Sequence, residues 1–396
     1  MVNSKIKLPG YLVENYKAVF ILYVLLAIVV SLQVLLAGPW EANSRIYTHY
    51  NNYIIFKQSF LHLIANQNLY TWHLEEHWDL FKYSPTFALF FGLFAYWPEA
   101  IGLSLWNLLN ALCLFFAIKQ LPRIGTKEKV FILLFLVVEL VISLQNSQSN
   151  ALIAGLIILA FVLLENHRYF LATLCIAATV YIKIFGLLAI VLFLFYPRKQ
   201  KLFLYIAFWF VLLTLLPLIL ISLPQLKLLY SGWFDLLVND HSVEYGISVL
   251  GWLTAWFHWT INKNLVVLSG LLIFVIPFLQ WKRFSDYFPR LFLLASILIW
   301  IVIFNHMAES PTYIIAMAGV SIWYFSQART VTNMILVIVA FIFSSLSQTD
   351  VFPRSLQDNF IDPYIIKAVP CIIIWVKLIV DSLWDSSKVT AHLYFK

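Results

Sequence analysis

The sequence has 396 residues, 62% hydrophobic and 11% charged, with a mean hydropathy of +0.86 and a formal net charge of +7. A soluble domain is nearer half apolar and a quarter charged, so this apolar surface exceeds what a soluble core can hide and lipid must cover the rest. The positive charge lies in short clusters between apolar runs, not in a basic, aromatic-interleaved stretch of the kind that binds nucleic acid.

In chain order, apolar runs occupy residues 18–38, 100–121, 130–144, 150–165, 169–183, 184–196, 202–222, 265–281, 291–304, 311–325, 331–347 and 364–384. The first is too long for a signal-peptide core and reads as a retained anchor. Several others are shorter than the roughly 20 residues that span a bilayer, so they tilt, extend into polar flanks or stop at a cavity. The expected fold is an all-α polytopic membrane protein of about 12 transmembrane helices, one domain over residues 1–396, with interfacial helices in its outer loops.

Loop 39–99 contains two such helices. Over Tyr53–Ala65 the spacing puts Tyr53, Phe56, Phe60, Leu63 and Ile64 on one face, with Lys57, Gln58 and His62 off it, as for a helix lying in the membrane surface. Ser84–Trp97 follows as a second. In the other long loop, 223–264, Val249–Trp259 reads as a third. Cys113, Cys175 and Cys371 all fall in apolar runs, with no disulfide or zinc spacing.

Lys and Arg set the orientation. With the N-terminus inside, the inner segments are 1–17, 119–129, 166–168, 197–201, 282–290, 326–330 and the tail from 385, which hold 17 of the 26 basic residues. Loops 39–99 and 223–264, the turns 145–149 and 305–310, and loop 348–363 then lie outside. They carry 12 of the 19 carboxylates and seven of the nine histidines, which places the acid–base chemistry on one face.

Four segments carry a family resemblance: "FKYSPTFALFFGLFAYWP" after the first outer loop, "LWNLLNALCLF" in the next span, "QNSQSNALIAGLIILAFVLLE", and "AATVYIKIFGLLAIVLF". Together, over about residues 45–325, they resemble glycosyltransferase family 87, polyprenyl-phosphate-mannose-dependent mannosyltransferases of the GT-C fold. The resemblance implies a GT-C-like bundle and inverting transfer of a mannose-like hexose. The donor is a polyprenyl-phosphate sugar and the acceptor a lipid or glycan in the outer leaflet. It also implies an integral protein of a bacterial inner membrane, its site facing outside among membrane lipids. No P-loop, Rossmann glycine pattern or Asp-x-Asp occurs in the chain, so a nucleotide-sugar or ATP site has no support in the sequence. No cofactor and no metal are expected.

Lys82 in "FKYSP" matches a basic residue that the family places near the donor phosphate; a snorkelling lysine on an interfacial helix is the alternative. Lys183 interrupts an apolar run, where a charge costs about 2.5–3.5 kcal/mol at mid-bilayer, and matches a family lysine. The family often has Pro three residues on, where this chain has Gly186. Gln148 and Asn150 match a Gly-Gln-x-Asn element whose glycine is here Ser147; they bind sugar hydroxyls or cap the helix that follows. Glu139 lies within a span, paired or protonated. His306 and Glu309 sit in the turn "NHMAESPTY", with Glu309 a base or a cap. Ser248 in "YGISVLGWL" matches a family serine and suggests a lid over the acceptor, while Tyr83 adjoins Lys82.

One position departs from the family. The aspartate presumed to be its general base falls on Asn52 in "HYNNYIIF", and an amide cannot accept a proton. Asp79, three residues from Lys82, is the first replacement, followed by Glu76, Glu41 and Glu309. The sequence also admits a lipid-linked sugar flippase or a catalytically inactive relative, although duplicated halves typical of transporters are not visible.

Overall fold

The computed structural model describes residues 15–42, 45–239 and 245–383. The basic residues before Asn15, the loop residues Asp240, His241 and Glu244, and the tail from 385 lie outside them.

Among the described residues the chain is almost wholly helical. Five helices are long and apolar enough to cross a membrane: Tyr16–Leu36, Glu99–Lys119, Lys199–Ile219, Lys263–Ser285 and Val331–Gln348. The pair Arg354–Ile361 and Ile366–Leu383, bent by 85°, makes a sixth if counted as one span. Five further apolar helices, Pro85–Ala95, Asn150–Glu165, Tyr169–Ile182, Ile184–Phe195 and Tyr287–Ile303, are only 10–17 residues long. The twelve apolar runs thus do not translate into twelve full-length spans. Run 130–144, for example, divides into Thr126–Phe135 and Val137–Gln145.

The need for lipid is visible in the first helix. Asn15 caps it by accepting from the Lys17 amide. Val19, Tyr23, Ala27, Val30, Ser31 and Val34 recur every three or four residues and are buried. Tyr23 donates to the Leu133 carbonyl and Asn107 to the Ser31 hydroxyl, which fixes this stripe on the bundle. The other faces expose Ile21, Leu25, Val29, Leu32 and Leu36. Hiding each such side chain from water is worth about 1.5–3 kcal/mol, a gain that here only a bilayer provides. Helix Asn150–Glu165, by contrast, is buried on nearly every side, between Glu99–Lys119 and Tyr169–Ile182.

Loop 39–99 holds an antiparallel pair, Trp40–Ala42 with Arg45–Tyr47, then helices Asn51–Ile64 and Pro85–Ala95 packed together. Tyr53, Phe56, Phe60 and Leu63 are buried as the spacing predicts, but Ile64, expected on that face, is exposed at the helix end, and His62, expected off it, is buried because it turns toward Glu76. Ser84 caps the second helix by accepting from the Phe87 amide, with Pro85 in the first turn. The other long loop holds Val249–Phe257, as expected, and also the helix Leu223–Asn239. Pro224 in its first turn and the polar residues Gln225, Lys227, Ser231 and Asp235 scattered along it disguise that helix as loop.

Candidate functional site

Helix Tyr169–Ile182 ends at Lys183, whose backbone is extended (φ −143°, ψ 134°), and the chain restarts as the 3-10 helix Ile184–Phe195. The break frees polar groups within an apolar stretch, an arrangement tolerated where backbone is buried in protein or lines a cavity. Gly186 permits the tight restart: a Cβ there would lie 1.7 Å from the Thr179 hydroxyl.

The Lys183 ammonium donates to Asn150 Oδ1 at 3.1 Å and Gln148 Oε1 at 3.3 Å, and lies 5.6 Å from the centre of the Tyr83 ring. Asn150 Nδ2 in turn donates to Gln148 Oε1 at 2.6 Å, and Gln148 Nε2 donates to Glu309 Oε2 at 2.7 Å. Ser149 and Tyr83 meet through their hydroxyls at 3.5 Å. Lys82 sits 3.5 Å from Asp79, whose Oδ1 also accepts from the Leu80 amide at 2.7 Å. One hydrogen-bonded network therefore joins Gln148, Asn150, Lys183 and Glu309, with the Tyr83 ring against Lys183 and the Asp79–Lys82 pair just before Tyr83 in the chain. In low dielectric such a network is stiff when its members are satisfied.

Two segments frame the cluster. Asn52 Nδ2 donates to the Asn146 carbonyl at 2.9 Å and ties loop 39–99 to the turn before Gln148. Ser248 caps Val249–Phe257 through the Gly251 amide and itself donates to the Tyr245 carbonyl, while Ile247 donates to the Ala308 carbonyl at 2.7 Å. The Ser248 segment is thus seated on the His306–Glu309 turn. Gly246 makes this possible, with φ +55° and a would-be Cβ 2.5 Å from the His306 carbonyl.

The residues after Lys183 line a cavity of about 460 Å³, formed by Ile184, Phe185, Leu187, Leu188, Asn305 and His306 among others. The Lys183 ammonium, turned to Gln148 and Asn150, lies 5.9 Å from the centre of the Phe185 ring that lines it.

Three sequence-derived residues stand elsewhere. Glu76 is held by His62, Nε2 to Oε2 at 2.9 Å. Glu41 lies on the exposed hairpin. Glu139 pairs at 3.0 Å with Lys367, both fully buried. The sequence reading missed that partner because 228 positions separate the two. It also missed Trp233, whose indole donates to the Lys82 carbonyl at 3.4 Å, since one aromatic on an amphipathic helix gives no signal.

Fold and site define an integral membrane protein with a charged, hydrogen-bonded centre at a helix break. The sequence profile of glycosyltransferase family 87 matches residues 81–346, and the chain belongs to that family. The match includes Lys82, Tyr83, Gln148, Asn150, Lys183, Ser248, His306 and Glu309 and leaves out Asn52, Glu76 and Asp79. No curated protein matches the chain. Among solved structures it is similar to the apo oligosaccharyltransferase of Archaeoglobus fulgidus, at 12% identity and a TM-score of 0.40. That alignment covers 92% of this chain and 56% of the archaeal one, so the chain spans little more than half of that protein.

Proposed function

We propose that this glycosyltransferase moves a mannose-like hexose, with inversion, from a polyprenyl-phosphate donor to a lipid or glycan acceptor at the outer leaflet. The observation that carries the proposal is Lys183 at the helix break, held by Gln148 and Asn150 next to residues that line an apolar cavity. A lipid-linked phosphate needs such a pairing of cation and apolar groove.

In this reading the polyprenyl phosphate lies with its charge between Lys82 and Lys183 and its chain along Ile184, Phe185 and Leu188. As the anomeric C–O bond to the phosphate lengthens, negative charge grows on the leaving oxygen. The two ammonium groups stabilise that charge, Lys183 from the hydrogen-bonded network and Lys82 from its more exposed side. The acceptor hydroxyl attacks the opposite face of the anomeric carbon. Its proton passes to a carboxylate, for which Asp79, 3.5 Å from Lys82, is the first candidate. Glu309 orients Gln148 toward the donor sugar and is the second candidate base. His306 lines the cavity, where it orients donor or acceptor, and the Ser248 segment covers the acceptor. The lysines supply the positive charge, so transfer routes no step through a metal.

Purified full-length protein in lipid nanodiscs, given acceptor membrane lipids and a radiolabelled sugar as polyprenyl phosphate or as nucleotide diphosphate, tests the donor class. Labelled product from the lipid-linked donor alone is expected. Turnover sustained by the nucleotide sugar in purified protein overturns the proposal.

A further inference from the structure

Away from the Lys183 cluster, the same loop assembles a second group of chemistry-bearing side chains. His62, near the end of helix Asn51–Ile64, is 6% exposed. Its Nε2 lies 2.9 Å from Glu76 Oε2, and its ring stacks on that of His73 with centroids 4.0 Å apart. His73 and Glu76 come from one turn of backbone, closed by the Glu76 amide on the His73 carbonyl at 2.9 Å, so they point to the same side. Donor atoms of these three residues all lie within 4.8 Å of one another.

Hydrogen bonds hold each ring, His62 Nε2 to Glu76 and His73 Nε2 to the Asn68 carbonyl, but Glu76 is the one carboxylate grouped with the stacked pair. Protonating both rings would set two cations face to face, and only Glu76 faces them as an anion. A divalent ion resolves this, because it wants neutral imidazoles and an ionised carboxylate.

We infer that His62, His73 and Glu76 form a zinc site that pins the loop bearing Asp79 and Lys82 to helix Asn51–Ile64. Two nitrogens and one carboxylate oxygen, with water in fourth place, form a donor set that suits zinc. Tetrahedral bonds of about 2.0–2.1 Å place donors roughly 3.3–3.4 Å apart. The His62–Glu76 pair is already near that spacing, and the partly exposed Glu76 is free to adjust. The His73 ring nitrogen Nε2 is also held by the Asn68 carbonyl at 3.1 Å, the outer-shell contact that orients a ligand histidine. The ion would displace the proton shared by His62 and Glu76. The loop runs on through His77, whose Nδ1 is 2.7 Å from the Asp79 carbonyl, to the residues of the transfer site. This site does not depend on the transfer reading, since the ion would bind whether or not the chain moves a sugar.

The test uses full-length protein purified without a histidine tag, stripped of metal, and titrated with zinc chloride by calorimetry. One zinc per chain is expected. His73→Gln and Glu76→Gln each weaken binding at least tenfold, while His258→Gln, an exposed histidine elsewhere, leaves it unchanged. Should either variant fold poorly, cobalt titration of the unaltered protein decides: the intense visible absorption of a four-coordinate ion is expected. A protein that takes up no stoichiometric zinc and gives no such absorption overturns the inference. So does zinc binding that both folded variants leave unaltered.

Discussion

At the residue scale, the question is which carboxylate works and what Asn52 does instead. Asn52 uses its amide as a donor to the Asn146 carbonyl, so it positions the turn before Gln148 rather than handling protons. Asn52→Asp would set a carboxylate oxygen against that carbonyl. We expect it to leave transfer no faster than in the parent and to lower thermal stability, read by a melting assay beside the activity assay. Asp79→Asn keeps the shape but cannot accept a proton, and should slow transfer by about 10²–10⁴-fold. Glu76→Gln, at a residue tied to His62, should cost much less. The sequence made Lys183 legible because a charge inside an apolar run is costly and therefore purposeful. Its contact with Gln148 and Asn150 was hinted at by the polar turn "QNSQSN", whereas the Gln148–Glu309 bond, 161 positions apart, was not readable.

At the scale of elements, the buried Glu139–Lys367 pair ties helix Val137–Gln145 to the 3-10 turn opening the bent C-terminal segment. The sequence announced that Glu139 must be paired or neutral. The structure pairs it with Lys367, while Lys183 turns to Gln148 and Asn150. Removing one partner strands the other in low dielectric, so Lys367→Met should cost about 3–5 kcal/mol. The double variant Glu139→Gln with Lys367→Met should recover part of that loss, as measured by denaturant unfolding in micelles. Helices with long apolar runs were legible from hydropathy. Leu223–Asn239 was not, because its apolar residues share the sequence with Lys227, Ser231 and Asp235, and only packing on loop 39–99, as in Gln225 to Gln67 and Trp233 to Lys82, reveals its role.

At the scale of the whole molecule, the segments assigned to each side by Lys and Arg assemble with one another. On the predicted inner side Arg290 pairs with Glu165 at 2.7 Å, Tyr287 donates to the Pro122 carbonyl and Arg283 donates to the Ser382 carbonyl at 2.8 Å. On the predicted outer side Asn52 meets Asn146, Gln148 meets Glu309, and Ile247 meets Ala308. Cysteine placed at the exposed Gln67 should label with an impermeant reagent from outside intact cells, and cysteine at Lys127 only after lysis. The reverse pattern would invert the orientation.

The central claim is that Lys183 and Lys82 share one leaving phosphate. Single-turnover transfer from a polyprenyl-phosphate sugar, followed in the parent, Lys183→Met, Lys82→Met and the double variant, tests it most directly. Loss of one such donor should reduce the rate by roughly 100- to 1000-fold in protein that still inserts and melts normally. The double variant should fall short of the product of the single losses, because both act on one charge. Turnover near the parent's in folded Lys183→Met would contradict the account.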